Sequence, residues 1–350
     1  MNIWYQIPSL DTIYANRTIY FGFKNAFTDL WHNFYAYTSD DILDEFISLN
    51  KIDIFIVSSH FYYQKFLDLK ILKKYREQWM KVFVKIDFWN SPFEWIRINE
   101  AWWMKDDKKL IKQIKDWMLW DCFFHVVEQW DPRMEWFTQE TWFEYITIPL
   151  AVDKTIANVA KINNAFEADI SYIGTNLPEK KQFFEEQVFP LQHMYDLRLY
   201  GQDWTAKDRI LWRIQRWWQY LNIPYIKSIQ KPKLTLSDEF DIYKTTKICI
   251  NVHENYQKKY WWDCNERTFK IPASWWFQVV DDVSCIYKYF EEWKEIVIAK
   301  NKSDRFDKIQ YYIHHPYERK AISQAGMKKV LQNHTYHNRV QQILEIYNSR

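Results

Sequence analysis

Glycine is almost absent from this chain. Four glycines stand in 350 residues, where average usage of roughly 7% would place about 25. So few glycines leave the left-handed turns that end helices without the residue that suits them. Cysteine is sparse too. Cys122, Cys249, Cys264 and Cys285 lie far apart and form no C-x-x-C pair, which argues against a zinc site or a disulfide frame and for reduced thiols in a cytoplasmic protein. No uncharged apolar run approaches the roughly 20 residues of a membrane span, and the opening MNIWYQIPSL lacks the basic flank and apolar core of a signal peptide. Peripheral membrane contact is left open. The net charge of +2 gives no electrostatic case for a nucleic-acid partner.

What the chain has instead is tryptophan: 21 of them. Several come in doublets, Trp102-Trp103, Trp217-Trp218, Trp261-Trp262 and Trp275-Trp276, as Gly-Gly pairs do in loops. Trp31 follows the helix-like Asn25–Leu30, and Trp79 follows the helix-like Phe66–Gln78. Both are one residue past a helix end, where the chain commonly turns left-handed. The pattern predicts that most of these tryptophans are glycine in the working protein, through a UGA codon read as Trp by one code and as Gly by another. Trp204 and Trp89 lie outside obvious glycine positions and are expected to be genuine. The alternatives are a truly Trp-rich protein or deliberate replacement.

Apolar runs and amphipathic stretches alternate. Strands are predicted at Ile3–Ile7, Phe34–Tyr37, Ile52–Val57, Val82–Ile86, Cys122–Val127 and Tyr145–Ile148, with helical periods at Asp40–Leu49, Tyr62–Gln78 and Asp106–Met118. Such alternation indicates a doubly wound parallel sheet. Pro149 and the polar Asp153–Asn164 break it, and it restarts at Asp169–Ile173, Leu197–Tyr200, Ile248–Val252 and Phe277–Val280. The last 40 or so residues read as helical, and Leu211–Lys233 as a loop or lid. The expected division is a first domain at 1–150, a second at 165–335 and a C-terminal helix at 336–350. Ligands in open α/β sheets bind outside the carboxyl ends of the strands, so the residues just after each strand are the candidates.

The most informative segment runs from Asn265 to Phe277, N-E-R-T-F-K-I-P-A-S-W-W-F. With glycine at 275 and 276 it reads as a short helix, a Gly-Gly turn and a strand. Arg267 and Lys270 share one helix face, where two cations could hold a diphosphate; a solvated basic face is the alternative. This segment resembles the nucleotide-sugar-binding motif of the group 1 glycosyltransferases, in the CgeB-like (spore maturation protein-like) branch, which pairs R-x-F-E/K with A-x-G-G before a strand. Tyr172-Ile173-Gly174-Thr175 is similar to the family's strand and glycine turn, and Leu199-Tyr200-Gly201-Gln202-Asp203-Trp204 to its lyG-x-x-W segment. Ile242-Tyr243 with Ile248–His253 is similar to iY…kI-x-lN-x-h, and His334-Thr335-Tyr336 with Arg339 to HTY-x-x-R. The five segments stand in order over about 165–345. The first domain matches more loosely, through Gly22 and Ala26.

The resemblance implies a GT-B architecture, two Rossmann-like domains facing a cleft with a helical C-terminus, and sugar transfer from a nucleotide-sugar donor to a glycan, lipid or protein acceptor. It implies that Gly174, Thr175, Tyr200, Gly201, Asn251, His253, Glu266, Thr268, Trp275 and Trp276 line the donor site, the last two as glycines that open it. Arg267 and Lys270 are implied as catalytic through the charge of the departing nucleoside diphosphate. Lys270 departs from the family, which often has a ribose-binding Glu there. No Asp-x-Asp motif occurs, so neither metal nor cofactor is expected. Asp87 alone reads as structural. His125, beside Glu128, is the candidate acceptor-side base, with Asp11 behind it; a satisfied structural His is the alternative. His314-His315 and His334-Thr335 read as helix-end residues, Thr335 as a cap. Competing readings are a glycan-binding protein whose aromatics stack on sugars, an epimerase acting on the nucleotide sugar alone, and a degenerate transferase kept as a scaffold.

Overall fold

The structure, a computed structural model, describes the chain apart from residues 8–9, 11–14, 60–66, 87–114, 117–118, 202–203, 208, 211–212, 215–233, 261–262 and 350. Asp11, Asp87, Trp89, the doublets at 102–103, 217–218 and 261–262, and most of the stretches 106–118 and 211–233 therefore lie outside the described residues.

The chain packs as two units, Met1–Pro149 with Arg339–Arg350, and Leu150–Asn338. Among the described residues the first holds six strands: β1 Asn2–Gln6, β2 Asn33–Tyr37, β3 Ile54–Ser58, β4 Lys81–Lys85, β5 Cys122–His125 and β6 Tyr145–Thr147. They form one sheet in the order β2-β1-β3-β4-β5-β6, every pairing parallel. Its described helices are α1 Asn16–Asp29, α2 Leu43–Asn50, α3 Leu69–Arg76 and α4 Glu135–Thr141. β3 is buried along its whole length, as a central parallel strand covered on both faces must be. α1 buries Ile19, Tyr20, Phe23, Ala26 and Phe27, the three-and-four spacing of one helical face. Asp68 caps α3 by accepting from the Lys70 and Ile71 N–H groups.

The second unit holds β7 Ile170–Ile173, β8 Leu197–Tyr200, β9 Ile248–Asn251, β10 Gln278–Asp281 and β11 Val297–Ala299, all parallel, in the order β11-β10-β9-β7-β8. Its described helices are α5 Lys154–Val159, α6 Lys181–Gln187, α7 Leu236–Thr245, α8 Asn255–Tyr260, α9 Arg267–Ala273, α10 Ser284–Tyr289, α11 Lys302–His314 and α12 Pro316–Asn333, and the last helix, α13 Tyr336–Ser349, begins in it. A capping box of Thr235 and Asp238 starts α7. Ile170, Ile248, Val279 and Val297 are fully buried; each such side chain contributes roughly 1.5–3 kcal/mol of transfer free energy.

Two doubly wound sheets and a helical C-terminus make this a GT-B fold. The details differ from the sequence reading in four places. The polar 153–164 stretch contains α5, capped by Asp153. β11 is a three-residue strand too short to stand out in the sequence. From Arg339 onward the last helix groups with the first unit, where the Arg339 Nε donates to the Pro149 carbonyl at 2.8 Å. Cys264 and Cys285 are joined as a disulfide, against the expectation of reduced thiols. They stand 21 residues apart in sequence, but α9 runs out and β10 runs back, so the two Cα atoms come within 6.1 Å. Cys122 and Cys249 are buried and stand in no disulfide. No described helix is long and apolar enough to cross a membrane.

Candidate functional site

The winding of the second sheet reverses between β7 and β9, since β8 lies on one side of β7 while β9, β10 and β11 lie on the other. Such a switch point leaves a crevice at the carboxyl ends of the two diverging strands. Arg267, the first residue of α9, spans it. Its Nη1 donates to the Ile173 carbonyl ending β7 at 3.2 Å, its Nη2 to the Val252 carbonyl just past β9 at 2.7 Å, and its Nε to Asn251 Oδ1 at 3.1 Å. The guanidinium also lies 5.3 Å from the Tyr172 ring centre. Arg267 is half-buried. Three of its five N–H groups are engaged by these bonds.

Around Arg267 the backbone comes unusually close. A β-carbon at Gly174 would meet Tyr172 Oη at 2.6 Å and Arg267 Nη1 at 3.0 Å. At Gly201, with φ +113°, it would meet the Gly174 carbonyl at 2.4 Å. These two glycines let the ends of β7 and β8 close on each other, and Trp204 ties them by donating from Nε1 to the Gly174 and Tyr200 carbonyls at 3.0 and 3.2 Å. Thr175 and Tyr200 are half-buried beside them.

Beneath lies a buried polar network. Asn251 donates to Thr268 Oγ1 (3.1 Å) and Gln278 Oε1 (3.2 Å) and accepts from Asn265 Nδ2 (2.9 Å). The Asp281 carboxylate, at the end of β10, accepts the His253 N–H (3.0 Å) and faces His253 Nδ1 at 2.6 Å and Lys258 Nζ at 2.7 Å. His253 Nε2 is 3.3 Å from Thr268 Oγ1. Asn251, His253 and Thr268 are fully buried, so they position the strand ends rather than line a surface, and His253 has no face left for a donor. Burial pushes the Asp281 carboxyl up, but His253, Lys258 and Arg305 outweigh it and hold the carboxyl well below the usual carboxylate range. A depressed folded-state value stabilises the fold above the ordinary carboxylate value of about 3.9 and loses that contribution as pH falls below it. Denaturant unfolding of the wild type and Asp281→Asn from pH 7 to pH 3 is expected to show a stability gap that narrows as pH drops through about 4; a gap constant with pH would count against the charge pairing.

Lys270 departs from its expected role. Its Nζ lies 3.3 Å from Glu239 and 2.9 Å from Glu266, inside a buried triad that Tyr243 joins by donating to Glu239 Oε1 at 2.9 Å. Burial lowers the Lys270 pKa, but the two carboxylates outweigh it, so the ammonium stays charged. Its charge is neutralised by Glu239 and Glu266 and is not free for a phosphate. Glu266 Oε1 is buried without a hydrogen-bond partner.

Trp275 and Trp276 also stand elsewhere than expected. α9 begins at the carboxyl edge and ends at the opposite edge, where the Phe277 carbonyl accepts the Cys249 N–H at the start of β9 and β10. The two indoles therefore stand past the far end of α9 from Arg267. His125 ends β5 in the first unit, is buried, and its Nδ1 accepts the Val127 N–H at 2.8 Å. The sequence reading missed Asp281, Lys258, Asn265 and Glu239; Asp281 alone had a signal, as the last residue of an apolar run. In the first sheet the winding reverses between β1 and β3, and the crevice there is lined by Gln6, Asn16, Ser58 and Lys85.

Comparison with known proteins agrees with this fold. Residues 180–345 match a family model described as glycosyl transferase-like. An α-glucosyltransferase solved with UDP-glucose and DNA containing an abasic site superposes with a TM-score of 0.66 at 11% identity, covering 99% of both chains. A sucrose-phosphate synthase from Thermosynechococcus elongatus gives 0.61 at 9% identity over 99% of this chain and 98% of that one. The Anabaena protein HepE, solved with UDP and glucose, gives 0.60 at 10% over the whole of both. No curated protein sequence matches the chain. The chain thus has a GT-B fold, and its residues 180–345 are similar to a glycosyl transferase-like domain.

Proposed function

We propose that this protein is a metal-independent glycosyltransferase that moves a sugar from a nucleotide-sugar donor to a glycan, lipid or protein acceptor. The observation that carries the reading is Arg267 at the switch point between β7 and β9. A diphosphate placed over the ends of these strands meets a cation whose orientation is fixed by three protein acceptors. As the glycosidic bond breaks, negative charge grows on the leaving diphosphate, and a preorganised guanidinium stabilises it most at that moment. UDP, present in similar folds, is the first nucleotide to try. Gly174 and Gly201 give the donor close approach to backbone, with Thr175 and Tyr200 beside them.

On the acceptor side, the crevice at Gln6, Asn16, Ser58 and Lys85 is the proposed entry, and His125, buried with its Nδ1 engaged by the Val127 N–H, takes the alternative reading of a satisfied structural histidine. The reading places the chain in the CgeB-like branch, in the cytoplasm, building a surface or secondary polysaccharide, with residues 275 and 276 as the Gly-Gly of A-x-G-G. A degenerate scaffold is the second reading, favoured by the neutralised Lys270.

The test is release of nucleoside diphosphate from a panel of UDP-, GDP- and dTDP-sugars with EDTA present, alongside calorimetric titration with UDP. Diphosphate release at a rate unaffected by EDTA is expected. UDP binding without turnover of any donor would favour the scaffold. Neither binding nor turnover across the panel would sink the transferase reading.

A further inference from the structure

Among the described residues, five other than glycine have φ in the left-handed region: Trp31 (65°), Lys51 (42°), Trp142 (65°), Trp275 (67°) and Trp293 (69°). Four of the five are tryptophan. A β-carbon makes this region costly, and bulky residues rarely occupy it. We propose that residues 31, 142, 275 and 293 are glycine in the protein made by its own cell, while Trp204 is tryptophan there. A single codon read differently by two codes accounts for all four.

The backbone at each site is built as a glycine turn. Beyond α1 the Trp31 N–H bonds to the Thr28 carbonyl and the His32 N–H to the Phe27 carbonyl, both at 3.0 Å, the paired bonds of a helix end whose left-handed residue is usually Gly. Trp142 ends α4 with its N–H on the Thr138 carbonyl, and Trp275 follows α9 with its N–H on the Pro272 carbonyl, both at 2.9 Å. Trp293, in the loop before β11, donates to the Ile296 carbonyl at 2.8 Å. The side chains are 94%, 78%, 50% and 54% exposed in that order, so no core packing requires an indole at any of them.

The tryptophans outside the left-handed region carry no backbone case and differ in their indole contacts. The indole N–H groups of Trp4, Trp79, Trp120 and Trp276 are buried without an acceptor, an uncommon and costly condition. Trp204 is the contrast: its N–H has two carbonyl acceptors and its ring packs on Tyr172, Phe184 and Phe189. Trp79 is a correction to the sequence reading. It does not enter the left-handed region, and its ring packs edge-on against Tyr75, so backbone angle makes no case for glycine there.

The inference rests on the backbone and holds whatever the chain transfers. It is tested by mass spectrometry of peptides from the natural protein that span residues 31, 142, 204, 275 and 293. Glycine at 31, 142, 275 and 293 with tryptophan at 204 is expected; tryptophan at any of the four overturns it. A recombinant comparison gives a second readout. The quadruple variant Trp31→Gly, Trp142→Gly, Trp275→Gly, Trp293→Gly is expected to melt higher than the chain as written by about 2 °C or more, and Trp204→Gly to melt lower. A quadruple variant that melts lower than its parent would also overturn the assignment.

Discussion

Arg267→Ala is expected to cost at least about 100-fold in kcat/KM for any donor the protein turns over, the scale seen when one preorganised charge-stabilising donor is removed. The same change removes the donor that the Ile173 and Val252 carbonyls and Asn251 Oδ1 now share; Asn265 Nδ2 still reaches Asn251 Oδ1 and the Val252 carbonyl, so the stability cost falls mainly on the Ile173 carbonyl, roughly 1–3 kcal/mol where water cannot replace the bond. Activity and stability should therefore fall together. Arg267→Lys separates the two roles. It keeps the positive charge, but an ammonium on a flexible stem cannot hold three diverging acceptors as a planar fork does. Its kcat is expected to stay far below wild type while its affinity for UDP partly recovers. The measurements are initial rates of diphosphate release, UDP titration and urea unfolding of all three proteins. Full activity in Arg267→Ala would remove Arg267 from the donor site.

Lys270→Met is expected to destabilise the second unit by about 3–5 kcal/mol, because it strands Glu239 and Glu266 without the cation between them. The double variant Lys270→Met/Glu239→Gln, which removes one of the stranded charges, is expected to recover a substantial part of that loss in urea unfolding. A loss near zero in the single variant would mean that water or the Tyr243 hydroxyl already satisfies the carboxylates, and Lys270 would again be a candidate for the donor phosphates.

These two residues mark how far the sequence could be read. The strands were legible because parallel strands covered on both faces are apolar runs, as at Ile54–Ser58 and Ile248–Asn251. The carboxyl ends of the strands, where Gly174 and Gly201 stand, were legible as the place to look because ligand position follows from strand direction. Pairings across the fold were not. Lys270 meets Glu239 from 31 positions away, and nothing in R-T-F-K discloses a carboxylate arriving from α7. The Cys264–Cys285 pair was hidden in the same way, since only the out-and-back path of α9 and β10 joins them. Trp275 and Trp276 were misplaced because they are close to Arg267 in sequence. A helix of seven residues carries the chain about 10 Å, enough to move them from one edge of the sheet to the other.

The turn at residue 31 bears on more than the energy of one backbone angle. A single residue, His32, separates it from β2, whose pairing begins with Asn33 opposite Asn2. The angle at 31 therefore sets where β2 enters the sheet. Side chains alternate along a strand, so a slip of one residue exchanges its two faces. It would turn Tyr37, now stacked on Trp4 inside the first core, out of that core. Glycine at 31 stops α1 at one defined point and fixes the register of the next strand. An indole there leaves the helix free to overrun its end during folding, so the chain as written should dock β2 more slowly than the chain with glycine.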